Sequence, residues 1–149
     1  GKDAKLLTFL SRLLGKSTVR TIIQKKSMPA KEDIFSNLPP VRWKELQGLH
    51  GGEVSPGFIG RFLTKWGWRG KDFKSKNDVD ALILKNKRSV LGKAKVVSGA
   101  WQGKKTLAMQ YRYLPVRDYF KQLDEGTILG AMTVFWIKKP VFYFYLRKK

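Results

Sequence analysis

The 149-residue chain carries 31 Lys+Arg against 11 Asp+Glu, a formal charge of +20, with 42% hydrophobic and 13% aromatic residues. Such a length encloses one hydrophobic core, such apolar content argues against disorder, and such a charge attracts polyanions: nucleic acid, an anionic membrane surface, an acidic protein or an anionic small molecule. The lack of cysteine excludes disulfides, thiolate metal sites and Cys nucleophiles; one histidine, His50, argues against a protein-only zinc site; and no apolar run has the length of a membrane-spanning helix.

The first residue is Gly rather than Met, which reads as a cloning remnant or a processing product. Leu6, Leu7, Leu10, Leu13 and Leu14 recur at helical spacing up to Gly15, and Val19, Ile22 and Ile23 follow the candidate caps Ser17 and Thr18. Residues 1–28 are therefore expected to form a basic amphipathic helical hairpin, and residues 29–149 a β-rich core, within a single domain. A third helix is predicted over 29–38, where Pro29 suits a first turn and Pro39-Pro40 ends it. The glycine-rich stretch 46–54 reads as a strand approached closely by another backbone or bulged, and Phe58, Phe62 and Leu63 as a short helix after Pro56-Gly57.

From residue 81 the period becomes that of strands. Residues 81–84 form a short apolar run, a turn is expected at 86–88, and Val90, Ala94 and Val96 share a face in the strand that follows. In 106–113, Leu107, Met109, Tyr111 and Tyr113 occupy the face expected to look inward, opposite Gln110 and Arg112. Residues 115–123 are expected to interrupt the sheet as a turn or a single helical turn, with Asp118 in a capping role. A turn at 124–126 precedes a segment over 127–137, and Pro140 introduces a last strand, 141–146, apolar on both faces and so expected to be buried on both.

Few residues suggest catalysis. The acidic side chains show no paired spacing, 48–52 lacks the Lys and helix of a phosphate-binding loop, and His50 with Asp118 is an acid–base pair only if the fold brings them within hydrogen-bond reach. No cofactor is expected. The segment 66–73 is the most unusual: Trp66 and Trp68 flank Gly67, then Lys71 alternates with Phe73, a pairing of rings and a cation that suits the pocket of an amphipathic anion or a plain hydrophobic core. Nine Lys and Arg residues lie between Asp80 and Asp118 without an acid among them, which suits a nucleic acid or an anionic membrane surface, or a merely solvated face.

Several ordered motifs resemble those of the bacterial and fungal GXWXG and DUF4334-like proteins of unknown function. They are Phe35 with 38–41, Gly67-Trp68 with Gly70-Lys71 and Phe73, Leu114-Pro115-Val116 with Asp118 and Phe120, and Asp124, Thr127, Leu129-Gly130, Met132 and 142–147. The naming motif is represented by 48–52, with His50 where the family pattern has Trp, although 99–103 spells the same pattern elsewhere. Arg112 stands where the pattern has an acid, and Tyr119 where it has His, so any chemistry of that pair is absent here. The resemblance, with a glycine-flanked Trp on an opening strand, implies a lipocalin-like barrel for small apolar ligands.

The expected fold is therefore α+β: a strongly curved antiparallel sheet or partly closed, lipocalin-like barrel of six to eight strands with N-terminal helices. The expected function is non-enzymatic binding of a small hydrophobic or amphipathic anionic ligand, with Trp66, Trp68, Phe73, Tyr111 and Tyr113 as wall and Arg61, Lys71 or Arg112 as partners for its head group. The alternative is a module for nucleic acid or anionic membrane surfaces that uses the basic run.

Overall fold

The structure is a computed structural model that describes residues 26–54, 63–65, 67–137 and 139–149. The helical hairpin expected over 1–28 and the helix expected near Phe58 fall mostly outside these residues. The chain divides into two compact units, one up to Pro39 and one from Pro40. In the first, helix α1, Met28–Asn37, starts where the Ser27 side chain accepts from the Ala30 amide at 3.4 Å and has Pro29 in its first turn. It stops at Leu38, before Pro39-Pro40, as a residue preceding proline disfavours helical geometry.

In the second unit a one-turn helix α2, Trp43–Leu46, leads into eight strands: β1 Gly48–Val54, β2 Gly70–Ser75, β3 Asp78–Ile83, β4 Lys93–Trp101, β5 Lys104–Tyr111, β6 Val116–Asp124, β7 Thr127–Val134 and β8 Phe142–Lys148. Each is antiparallel to its sequence neighbour, and β1 pairs with β8, with Gly52 opposite Leu146, so the barrel is closed. Closure removes both free sheet edges. The short turns β2–β3, β4–β5 and β6–β7 lie at one end. The ends of the strands that border the longer connections, among them 84–92 and 112–115, lie at the other.

Inward-pointing residues follow the expected alternation. Phe73, Val79, Ala81, Ala94, Val96, Met109, Tyr111, Phe120, Ile128, Phe142, Phe144 and Leu146 form one buried cluster. The last strand is buried on both faces from Phe142 to Leu146, as its unbroken apolar run requires.

Three expectations need correction. Residues 115–123 do not interrupt the sheet: Val116–Asp124 is a full strand paired with β5 and β7, and Pro115 lies just before it, where its missing amide costs no ladder bond. Strand β4 starts at Lys93 rather than Val90, which sits in a 3₁₀ turn, Val90–Gly92, and is exposed. Strand β5 ends at Tyr111, so Tyr113 lies in the following connection and is exposed instead of facing the interior.

Two glycines let aromatic rings lie against the barrel wall. A Cβ on Gly52 would come within 2.2 Å of the Trp68 ring, and one on Gly130 within 2.2 Å of the Phe144 ring. Both rings sit in the close-packed interior, where added volume forces a shift. Gly130→Ala is expected to destabilise the barrel by about 1–3 kcal/mol, read as a lowered urea midpoint, whereas Gly103→Ala, where a Cβ would meet nothing within 4 Å, is expected to cost only the about 1 kcal/mol of a left-handed turn position.

Candidate functional site

The barrel gathers polar groups inside one end. Lys71 is second in β2, Tyr111 is last in β5 and Asp118 is third in β6, so all three lie toward the long-connection end and point inward. Lys71 Nζ donates to the Tyr111 hydroxyl at 3.0 Å and to the Ala81 carbonyl at 3.3 Å, and forms an ion pair with Asp118 Oδ2 at 3.3 Å. The Tyr111 hydroxyl in turn faces Asp118 Oδ2 at 3.5 Å, and Trp68 Nε1 donates to the same Ala81 carbonyl at 3.1 Å. Asp118 Oδ1 is buried and has no hydrogen-bond partner among the described residues.

Rings complete the enclosure. Lys71 Nζ lies 4.9 Å from the centroid of Phe144, 5.4 Å from Trp68 and 5.5 Å from Tyr111, distances at which an ammonium is drawn to an aromatic face. Burial pushes the Lys71 amine below its ordinary value and the Asp118 carboxyl above its own, each shift being partly offset by the other member of the pair. Burial also drives the Tyr111 phenol well up, so it stays protonated and available as a donor. Whether the proton sits on nitrogen or oxygen, the pair carries no net charge.

Of the residues expected to form the site, Trp68, Lys71 and Tyr111 meet here, and Phe73 packs deeper, 5.6 Å from the Phe120 ring. Arg112 lies on the exterior, its guanidinium donating to the Asn77 carbonyl at 2.7 Å. Arg61 and Trp66 lie outside the described residues. Asp118, expected to cap a turn, is instead a buried strand residue that serves as the counter-ion of Lys71; the alternation Val116, Asp118, Phe120 was the signal available for that. His50 is buried too, but its Nε2 is 2.7 Å from the Leu46 carbonyl and its ring meets Phe73 edge-on, so His50 and Asp118 have separate partners. Burial, opposed by that carbonyl, lowers the imidazole pKa.

Outside the barrel, Asp80 is buried beneath cations. Lys93, Arg88 and Lys74 reach it at 2.7, 2.9 and 3.0 Å, and Arg88 also binds Asp72 at 2.7 Å. Two members of the basic run are thereby tied to structure. A separate open cleft of about 490 Å3 is lined by 51–53, Arg69 and 147–149, and Trp68 lines both this cleft and the Lys71 enclosure. Among the described residues no group of His, Cys, Asp or Glu is placed to hold a metal ion.

Comparison with known proteins fits this architecture. The model described as "GXWXG protein" matches residues 33–88, and the domain of unknown function DUF4334 matches residues 92–148. A crystal structure of a protein from Thermomonospora curvata is 21% identical, with a TM-score of 0.80 over 89% of this chain and 95% of that one, a likeness of fold. No curated protein matches the chain.

Two outcomes follow from these electrostatics. Lys71→Met strands Asp118 in an apolar interior and is expected to cost about 3–5 kcal/mol in chemical denaturation, while Lys71→Met combined with Asp118→Leu recovers much of the loss, because no charge is left unmatched. For Asp80, burial raises the carboxyl pKa, but hydrogen bonds from Lys93, Arg88 and Lys74 outweigh it and hold the group well below the ordinary carboxylate range. A depressed folded-state value gives stability that is present above about pH 4 and is lost as the pH falls below it. Asp80→Asn should therefore flatten the acid limb of the stability profile measured by denaturant midpoints.

Proposed function

Since the chain belongs to the paired GXWXG and DUF4334 families, we propose that its barrel is a binding protein for a small hydrophobic ligand whose single polar head docks on Lys71, Tyr111 and Asp118. The observation that carries this reading is a polar trio with one unsatisfied oxygen, enclosed by rings, just inside the long-connection end of a closed barrel. Ligand sites of this kind combine an apolar wall with a few convergent polar groups that fix orientation.

The chemistry selects the head group. Lys71 is already matched by Asp118, so a carboxylate guest would add an unmatched negative charge to a low-dielectric interior. A hydroxyl avoids that cost: it donates to Asp118 Oδ1, which lacks a donor, and accepts from Lys71 or Tyr111. An amphipathic anion enters only with a proton, and Asp118 takes that proton readily because burial has already raised its pKa. Trp68 lines both the enclosure and the cationic cleft, and we take its displacement as the route of access.

Titration calorimetry with decanol and decanoate tests the proposal. Decanol is expected to bind with little dependence on pH. Decanoate is expected to bind with uptake of one proton and to weaken by about tenfold per pH unit as the pH rises, a dependence that Asp118→Asn removes. Lys71→Met, verified as folded, should weaken both by about tenfold or more. No heat of binding from either probe up to its solubility limit would overturn the reading.

A further inference from the structure

The most conspicuous surface feature lies outside this interior. Among the described residues eight large hydrophobic side chains are exposed, and six of them, Val90, Leu91, Tyr113, Phe135, Trp136 and Ile137, sit on three connections at the long-connection end. Tyr113, Phe135 and Trp136 are 61%, 62% and 71% exposed. The connections are neighbours: the Phe135 amide donates to the Pro115 carbonyl at 3.2 Å, and the Arg112 amide donates to the Lys93 carbonyl at 2.9 Å, where the Val90 turn joins β4. A soluble surface scatters such residues singly; gathered at one end of a barrel, they mark a face that meets something apolar.

We propose that this end docks on an anionic lipid bilayer, with the tips of the 112–115 and 135–141 connections inserted at the interface. Charge decides among apolar partners. The chain carries +20, so a second copy would bring repulsion with every contact, whereas an anionic leaflet attracts it. Exposed Lys85, Lys87 and Lys139 flank the apolar tips, giving the pairing of shallow apolar insertion with basic attraction that stable peripheral binding needs. The residue types agree: Trp and Tyr favour the headgroup level, and Ile, Leu and Val have no use in stacking on nucleic-acid bases. The docking proposal stands on the exposed tips and is independent of what the interior holds.

The test is flotation of the full chain with phosphatidylcholine vesicles, with and without phosphatidylglycerol. Binding is expected only with phosphatidylglycerol, is expected to weaken with salt, and is expected to fall by about tenfold or more in Phe135→Ser/Trp136→Ser, while the melting temperature and decanol titration of that variant stay as in the parent. Quenching of tryptophan by bromolipids should drop in Trp136→Phe. Equal flotation of the double variant would mean a general electrostatic attraction and would overturn the proposal, as would absence of flotation. Concentration-dependent self-association of the parent, abolished in the double variant and unaffected by vesicles, would assign the face to a second copy instead. Binding to single-stranded nucleic acid that the same substitutions weaken, without flotation, would assign it to stacking.

Discussion

One constraint governs the barrel's interior: neither member of a buried ion pair can be there without the other. Lys71 on β2 and Asp118 on β6 meet inside the barrel, with Tyr111 of β5 and the backbone of β3 completing the contacts. Neither charge is tolerable in that interior alone, so each strand position is fixed by the other's need for a partner. A slip of one residue in β2 would turn Lys71 outward and Phe73 with it, leaving a carboxylate among rings. The pair therefore sets register as well as local polarity. Its two charges cancel within the interior.

Much of the architecture was legible in the sequence, because a strand with one buried face writes its orientation as alternation. Met109 and Tyr111 point inward as expected, and the apolar run 142–146 is covered on both sides. Strand β6 escaped notice for a physical reason: its inward side carries Asp118, and its outward side carries Tyr119 and a buried Lys121, so neither face looks simply apolar or simply solvated. A proline at its threshold strengthened the misreading. Tyr113 misled in the opposite way, since it keeps the alternation for one step after the hydrogen-bond ladder has ended.

The site was half legible. Lys71 beside tryptophan and phenylalanine announced a cation among rings, but its counter-ion lies 47 positions away, and nothing local joins the two. From the sequence Asp118 reads as a turn cap, with His50 as its one named partner, and Lys71 as a partner for a ligand's head group. The closed topology, which places β2 and β6 around one interior, is what brings Lys71 and Asp118 together. The naming motif shows similar dependence on three dimensions. His50 packs inward on Phe73, whereas the second copy of the pattern, at 99–103, turns at the short-loop end, with Trp101 on Tyr119 at 5.0 Å.

The seam between β1 and β8 joins residues almost a hundred positions apart, Gly52 with Leu146 among them. Contacts so distant in sequence form late, after the hairpins between them have assembled. Until that zipping step both outer strands present unpaired amides and carbonyls, and the doubly apolar β8 is the costlier of the two to leave waiting. The rate-limiting event in making this molecule is thus expected to be the capture of β8, and crowding of nascent chains at that moment is its principal hazard.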